Sequence, residues 1–240
     1  MLRVIDTETC GLQGGIVEVA SVDVVDGQIV NPMSDLVRPD RPIARQAMAV
    51  HRITEAMVAD KPTIEAVISR YHGSPVYVAH NASFDRRVLP EMHGSWICTL
   101  TLARQLWPGR KYSNSALRES LRLDVTPPAH LHAHRALYDC YVTAGLLLRI
   151  MADSGWDRDE MLRRMQRSDR PRMTAGAGAR PNADDEARLP FGKYRGETVS
   201  AVARRDPRYL LWMLRNIADL SPALKQAVTA ALQQRDDRPA

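Results

Sequence analysis

The sequence predicts an α/β protein: a mixed β-sheet flanked by helices, followed by a small, basic and mainly helical module. Three observations support this prediction. Segments rich in valine and isoleucine meet at Asp26-Gly27, a strong signal for a two-residue hairpin turn. Two short apolar segments, residues 75–79 and 96–98, alternate with helical patterns, as they do in sheets with helical crossovers. After residue 189 only helical patterns recur.

The first strands follow in order from the amino terminus. Leu2 to Ile5 is an apolar run that leads into a turn around Gly11, which predicts a strand. Residues 16–25 predict a second strand, and the return strand starts at Gln28 and continues near Leu36. Because a short hairpin joins antiparallel strands, these segments predict the antiparallel part of the sheet.

Helical and strand-like segments alternate over the next hundred residues. The expected order is helical segments within 44–72, a strand at 75–79, a helix at 82–91, a strand at 96–98, helices at 99–106 and 114–121, a loop at 124–133 and a helix at 136–151. The loop contains Pro127-Pro128, which a helix interior does not accommodate. On the last helix the apolar stripe excludes Asp139 and consists of Leu137, Tyr141, Ala144 and Leu148.

The composition changes after residue 165. Residues 166–188 contain an alanine-, glycine- and proline-rich stretch without apolar periodicity, which predicts a flexible linker. We therefore expect a domain at 1–165, a linker at 166–188 and a module at 189–240. Residues 1–165 carry 19 basic and 19 acidic side chains, whereas residues 166–240 carry 14 and 9. A neutral body with a basic tail indicates a polyanionic partner; a merely soluble basic surface is the alternative.

The composition also restricts the compartment. No apolar run approaches the roughly 20 residues that span a bilayer, so we expect no membrane association. Asp6 and Glu8 stand where a secretory signal would be apolar. The three cysteines form neither a CxxC zinc pattern nor a disulfide framework. A cytoplasmic protein is the expectation.

Four acids and one histidine are candidate site residues, although each has an ordinary structural explanation on its own. Asp6 and Glu8 point to one face of a strand, where two carboxylates attract a hard cation such as Mg²⁺ or Mn²⁺; a solvated pair is the alternative. Asp85 could merely stabilise the first turn of its helix, and Asp139 could be a solvated helix acid. His134 could be a packing residue.

In combination these residues are far more specific, because they stand in three short motifs in a fixed order. The motifs are Asp6-Thr7-Glu8-Thr9-x-Gly11-Leu12, His80-Asn81-Ala82-Ser83-Phe84-Asp85 and His134-Arg135-Ala136-Leu137-x-Asp139. Together they resemble the DEDD superfamily of 3′→5′ exonucleases over residues 1 to 152. The third motif has the histidine form, DEDDh, because the position of the alternative tyrosine is occupied by Arg135.

The likeness extends beyond these motifs to one branch of the superfamily. It includes the first 18 residues, His51-Arg52-Ile53-Thr54, Ile97-Cys98-Thr99 and Leu106-Trp107-Pro108-Gly109. It also includes Phe191-Gly192-Lys193-Tyr194-Arg195-Gly196 and the following Asp206-Pro207-x-Tyr209-Leu210-x-Trp212, which resemble the carboxyl-terminal module of that branch.

The resemblance implies a ribonuclease H-like fold and metal-assisted hydrolysis of the terminal phosphodiester. It implies that Asp6, Glu8, Asp85 and Asp139 hold two Mg²⁺ ions (or Mn²⁺), and that His134 takes the proton of the attacking water. The implied substrates are the 3′ ends of single- and double-stranded DNA, the product a nucleoside 5′-monophosphate and the role DNA repair or recombination. Relatives are often dimers, so the resemblance allows a homodimer.

Substrate contacts are expected in three places. By family analogy, Thr7 lies beside the metals and Leu12 packs on the terminal base; we further expect Leu12 and Gln13 to wedge under the terminal base pair of a duplex. The alternative is a core Leu12 and a turn residue at Gln13. His51 and Asn81 are candidates for phosphate contacts, with buried packing and helix capping as alternatives. The remaining candidates, which interleave basic and aromatic groups near the carboxyl end, are Lys193, Tyr194 and Arg195.

Three other functions are compatible with parts of the pattern. An RNA-trimming enzyme would use the same chemistry and differ in contacts to the 2′-hydroxyl. A non-catalytic binding protein on the same fold would need none of the acids. A proofreading subunit would need a polymerase-binding tail, whereas we expect the residues after Leu189 to fold, with Tyr209, Leu210, Trp212 and Leu214 in the core of the module.

Overall fold

The computed structural model describes residues 1–169, 187–189, 194, 196–216, 220 and 222–236. The chain divides into two compact units, Met1–Met173 and Thr174–Ala240. None of the described helices has the length and apolar content that a membrane span requires.

The first unit is built on a mixed five-stranded sheet with strand order β3-β2-β1-β4-β5. The strands are β1 Leu2–Thr9, β2 Ile16–Val25, β3 Gln28–Leu36, β4 Val76–Ala79 and β5 Ser95–Cys98. Strand β2 runs antiparallel to β1 and β3, and β4 runs parallel to β1 and β5. Asp26 and Gly27 both have positive φ, 48° and 79°, as the predicted hairpin turn requires. Strand β1 is therefore the central strand of the sheet.

Helices cover the sheet of the first unit. They are α1 Arg45–His51, α2 Glu55–Val58, α3 Ile64–Val67, the 3₁₀ turn Ile68–Tyr71, α4 Ala82–Val88, α5 Thr99–Leu106, α6 Asn114–Ser120, α7 Ala136–Ser154 and α8 Arg158–Asp169. The segment 44–72 is broken into short pieces, the first ending at Arg52 with φ 59°. Helix α4 ends at Val88 rather than Glu91 because Leu89 precedes Pro90 and is extended.

Helix α7 buries a different face from the one expected. Asp139 lies among its buried residues, whereas Leu137 and Tyr141 are only partly buried. The first turns of α7 bury small and polar side chains, and the Cys140 thiol donates to the Ala20 carbonyl oxygen on β2 at 3.2 Å. A stripe of small and polar residues does not stand out in a hydrophobic pattern. The alternative of a solvated helix acid at Asp139 is therefore excluded.

Helix α8 extends the first unit beyond the expected boundary at residue 165. Met161 and Met165 are buried in the same core as β1 and α7, and the backbone N–H of Cys98 approaches the Met165 sulfur at 3.3 Å. Residues 166–169 continue the helix and are not linker. The rest of the predicted linker, up to residue 186, lies outside the described residues.

The second unit is helical and has a core of its own. Its helices are α9 Val199–Arg205, α10 Pro207–Asn216 and α11 Pro222–Asp236. The Thr198 hydroxyl caps α9 by accepting from the Ala201 N–H at 3.3 Å. The prediction of a mainly helical carboxyl-terminal module is confirmed. Its buried core consists of Leu189, Tyr194, Val199, Val202, Ala203, Leu210, Met213, Leu220, Leu224 and Val228.

Candidate active site

Three carboxylates converge where the central strand meets α7. Asp6 and Glu8 alternate with buried residues along β1 and lie on the face that α7 covers. Asp139 comes from the first turn of α7. One oxygen from each of these side chains lies within 4.8 Å of the others. This spacing allows the three carboxylates to share a cation.

The fourth acid approaches from α4. Asp85 is buried and accepts a hydrogen bond of 2.9 Å from the Thr7 hydroxyl. Among the charged neighbours of Asp6, Asp85 contributes most to raising the pKa of Asp6. The structure thus brings together the acids from all three motifs. Thr7 is itself buried and bonded to Asp85, so the expected direct contact between its side chain and the substrate does not agree with this placement.

Burial and mutual repulsion make these acids reluctant to ionise. Burial, and then the charge of Asp139, raises the pKa of Glu8 to about 9. Burial raises the pKa of Asp85 to about 7 against the opposing hydrogen bond from Thr7. The pKa of Asp6 is raised well above its usual value, first by burial and then by neighbouring acids. Burial also raises the pKa of Asp139.

The donor set suits a hard divalent cation. In the part of the chain that the structure describes, no lysine or arginine forms an ion pair with any of the four acids. The four acids offer carboxylate oxygens, which Mg²⁺ and Mn²⁺ prefer as ligands. A bound cation would favour the charged forms of all four acids, whose pKa values burial raises, and would offset the repulsion that adds to the shifts of Asp6 and Glu8.

A fifth acid beside the cluster has the opposite surroundings. Glu18 on β2 lies directly opposite Glu8 in the strand register and is fully buried. Arg135 donates to both of its oxygens, at 2.9 and 2.8 Å. The Ala136 N–H and the Ser34 hydroxyl donate to it at 3.0 Å each. This network fixes the first residues of α7 against β2.

The sequence analysis missed Glu18 and Arg135 as residues that build the site. The available signal was an acid, Glu18, among the mainly apolar residues of the β2 segment, which also contains Asp23. A buried acid of this kind requires a cation or several donors. Arg135 stood inside the third motif but was used there only to distinguish the two forms of that motif.

His134 lies two residues before the start of α7 at Ala136. Its side chain is exposed, its φ is 67°, and its backbone N–H donates to Asp139 at 3.1 Å. Its positive charge would lower the pKa of Asp139, which places the imidazole within electrostatic reach of that carboxylate. His132, an alternative candidate, has its Nδ1 within 2.7 Å of the Ala133 carbonyl oxygen.

The loop after β1 presents Leu12 to solvent. Its side chain is 82% exposed, which excludes the alternative of a core residue. The loop is closed by a 2.7 Å hydrogen bond from the Cys10 N–H to the Gly15 carbonyl. Arg87 donates to the Leu12 carbonyl at 3.0 Å. Gln13 is also exposed, and a cavity of about 500 Å³ opens beside it, with Arg38, Arg41 and Arg87 in its wall.

The two candidates for phosphate contacts differ in their surroundings. His51 is buried, and its Nδ1 accepts from the Ile53 N–H at 2.9 Å while its Nε2 lies 3.3 Å from the Thr9 carbonyl. Burial also lowers the pKa of His51. Both ring nitrogens therefore hold the backbone beside β1, and a direct phosphate contact does not agree with this placement. Asn81 is exposed, with φ 73°, and its side chain does not cap α4.

The carboxyl-terminal candidates are placed only in part. Tyr194 is buried, its hydroxyl donates to Asp206 at 2.9 Å, and its ring packs edge-on against Tyr209 at 5.0 Å. The expected stacking of a base on Tyr194 does not agree with that burial. Lys193 and Arg195 lie outside the described residues.

Comparison with known proteins identifies the family. A family described as "Exonuclease" (RNase T) matches residues 4–147, and residues 189–218 match the family "Exodeoxyribonuclease X-like C-terminal". The chain belongs to the exonuclease family. This exonuclease is 63% identical over 225 residues to exodeoxyribonuclease 10 of Escherichia coli strain K12, covering 94% of this chain and 96% of that protein.

Two solved structures agree with that assignment. One shows exonuclease X in complex with 5′ overhanging duplex DNA; it is 72% identical, has a TM-score of 0.67, and covers 68% of this chain and 99% of that one. The other is the nuclease domain of 3′hExo, a DEDDh family member, with a TM-score of 0.52 over 64% of this chain and 92% of that one. Its sequence is only 16% identical, so it supports the fold alone. The resemblance to DEDDh exonucleases and the ribonuclease H-like fold are confirmed.

Proposed function

We propose that this exonuclease is a metal-dependent 3′→5′ exodeoxyribonuclease. It removes nucleoside 5′-monophosphates from the ends of single- and double-stranded DNA, in repair or recombination. The observation that supports this most is the convergence of Asp6, Glu8 and Asp139 within 4.8 Å, without an ion pair among the described residues. The similarity to exodeoxyribonuclease 10 over nearly the whole chain supports DNA as the substrate.

The four acids account for the metal requirement. Asp6, Glu8, Asp85 and Asp139 would hold two Mg²⁺ ions, or Mn²⁺ where it is available. Bound divalent ions supply charge stabilisation to the phosphoryl group and lower the pKa of water. The Thr7 hydroxyl orients the Asp85 carboxylate, and the Glu18–Arg135 network fixes the helix that carries Asp139.

His134 is the proposed general base. Its exposed imidazole would accept a proton from a water molecule as the water oxygen bonds to the terminal phosphorus. The bond from that phosphorus to the 3′-oxygen of the preceding nucleotide then breaks, which releases the 5′-monophosphate. The left-handed backbone at His134 and its N–H bond to Asp139 fix the residue beside the carboxylates.

The loop after β1 is the proposed contact for the terminal base. The exposed Leu12 side chain would pack on that base, and Leu12 and Gln13 would separate the terminal pair of a duplex. Asn81, exposed before α4, remains the proposed phosphate contact. Arg38 is exposed in the adjoining cavity, where its charge suits a phosphate.

The test uses 5′-labelled single-stranded DNA and its RNA equivalent, each with Mg²⁺ and with EDTA. We expect a DNA ladder that shortens from the 3′ end and is lost with EDTA and with Asp6→Asn. Asp26→Asn is the matched control, because Asp26 is an exposed acid at the hairpin of the same sheet. Faster loss of the RNA, or digestion by Asp6→Asn, would contradict the proposal. A cytoplasmic location and a homodimer stay predictions.

A further inference from the structure

The second unit presents an aromatic and basic surface that the proposed chemistry does not use. Arg208, Leu211 and Trp212 are spaced i, i+3 and i+4 along α10 and so share one side of the helix. Leu211 is 42% exposed and Trp212 47% exposed. We call these three residues the α10 face. The sequence analysis expected Trp212 in the core, and this expectation is wrong.

The core formed by the described residues of the unit does not include Trp212. Leu210 and Met213, on the opposite side of α10, are fully buried against the other helices. They supply the apolar stripe that the helix needs. An exposed tryptophan beside an exposed leucine therefore requires a different explanation, and exposed apolar clusters commonly mark binding sites.

The Trp212 ring is held in place by its neighbours. It stacks on the Tyr209 ring with a centroid distance of 5.8 Å and an interplanar angle of 28°. Tyr209 in turn packs on Tyr194, whose hydroxyl donates to Asp206. A ring fixed in this way loses little rotational freedom on binding, so it is a suitable platform for a planar ligand.

The charge around the α10 face suits a polyanion. Arg204 and Arg208 are exposed, and neither forms an ion pair with a described carboxylate. Glu197 and Asp206, the acids of this unit whose side chains are described, are already engaged. Glu197 pairs with Arg205 at 2.8 Å, and Asp206 accepts from Tyr194.

We propose that the α10 face binds single-stranded nucleic acid, with a base stacked on Trp212 and phosphates beside Arg208 and Arg204. Unpaired bases expose their flat faces, whereas a duplex hides them, and aromatic rings interleaved with arginines are the common platform for such strands. The inference rests on the proposed function, since it gives the digested strand a second contact. Because both units belong to one chain, even weak binding of the strand to the α10 face increases the fraction of the enzyme that is bound to DNA.

The experiment measures the affinity of the full-length protein for a fluorescein-labelled oligothymidine by anisotropy, in EDTA so that the strand stays intact. Trp212→Ala should raise Kd about 5- to 100-fold, and Trp212→Phe should restore it to within about threefold of the wild type. Arg208→Gln should reduce the slope of log Kd against log salt concentration by about 0.7.

Three controls isolate the α10 face. Gln226→Ala alters an exposed residue on α11 and should leave Kd unchanged. Arg122→Gln removes an exposed arginine from the first unit. In that background, Trp212→Ala should raise Kd by the same factor as in the wild type. A blunt duplex of the same length should be bound equally by wild type and Trp212→Ala. If Trp212→Ala also lowers the melting temperature, its Kd no longer tests the proposal alone. The slope of log Kd against log salt concentration for Arg208→Gln is then the test.

Wild-type affinity in both Trp212→Ala and Arg208→Gln would overturn the inference. So would a wild-type dimer that Trp212→Ala converts to a monomer in light scattering, which would assign the face to a second copy of the chain. A hydrolysis assay with Mg²⁺ separates this inference from the proposed function. If the wild type digests no DNA but Trp212→Ala still weakens oligothymidine binding, only the proposed function fails.

Discussion

Glu8 and Glu18 face each other across two neighbouring strands, yet their surroundings are opposite. Glu18 accepts from Arg135, Ala136 and Ser34, so its charge is compensated within the protein. Glu8 has acids as its main charged neighbours, and burial raises its pKa to about 9. The comparison shows that the partners of a buried acid, rather than its residue type or position in the sheet, separate a structural acid from a site acid.

Arg135 explains why the two acids coexist. Its guanidinium lowers the pKa of Glu8 a little, but less than burial and the neighbouring acids raise it. Its hydrogen bonds go to Glu18. Arg135 is the one described cation that lowers the pKa of Glu8, and it is already paired with Glu18. We therefore propose that a divalent cation from solution compensates the site acids.

The largest effect is expected from removing a site acid. Asp139→Asn should lower kcat/KM for DNA on the order of 10²- to 10³-fold or more. The Asp139 carboxylate would hold a divalent cation, and the positive charge of that cation would stabilise the transition state. Asp153→Asn is the control, since it lies on the same helix in an exposed pair with Arg149. Circular dichroism should show both variants folded. Activity within tenfold of wild type in Asp139→Asn would contradict the prediction.

Breaking the structural pair should destabilise the fold instead. Arg135→Ala leaves the Glu18 charge buried without its cation, at a cost of roughly 3–5 kcal/mol in the free energy of unfolding. The double change Glu18→Gln with Arg135→Met should recover most of that loss, because neither charge remains. Urea unfolding in EDTA measures both. Equal stability of wild type and Arg135→Ala would show that the network does not anchor α7.

The raised pKa of Glu8 should make the stability of the metal-free protein depend on pH. The folded pKa of Glu8 lies above its unfolded value, so its contribution to stability is complete at acidic pH and is lost as the pH rises toward about 9. The melting temperature in EDTA should therefore fall by at least about 3 °C from roughly pH 6 to 9. Glu8→Gln should flatten this fall. A wild-type melting temperature that rises over this range would contradict the sign.

The smallest effect is expected at Leu12, just beyond the strand that carries Glu8. Leu12→Ala should lower activity on a blunt duplex about three- to tenfold more than on single-stranded DNA, because the lost apolar contact separates the terminal base pair. Asn81→Ala provides a comparison that should affect both substrates alike. Equal losses on both substrates in Leu12→Ala would remove the wedge.

The sequence predicted the convergence of four acids but not the network that holds them. The motifs fixed which acids to expect, and the hairpin signal at Asp26-Gly27 fixed the antiparallel strands. The third motif placed Asp139 among the site acids, although the apolar stripe expected on α7 excluded it. In the structure the buried face near the start of α7 consists of small and polar residues that include Asp139 and Cys140. Tertiary partners decide such cases, and no local pattern records them.

The same limit explains the errors outside the active site. Trp212 resembles a core residue in the sequence, but Leu210 and Met213 are the residues of α10 that pack in the described core. His51 and Tyr194 resemble ligand-binding residues, but neighbouring groups engage His51 at both ring nitrogens and Tyr194 at its hydroxyl. A side chain that could bind substrate becomes structural once the fold surrounds it.

Direct metal binding tests the central claim, that the four acids without an ion-pair partner among the described residues hold the cation. Electron paramagnetic resonance would measure Mn²⁺ affinity for the wild type, Glu8→Gln and Glu18→Gln, at a pH where all three are folded. We predict that Glu8→Gln weakens Mn²⁺ binding at least about tenfold, whereas Glu18→Gln lowers stability but keeps the affinity within about threefold. Wild-type affinity in Glu8→Gln, or an equal loss in a folded Glu18→Gln, would contradict the account.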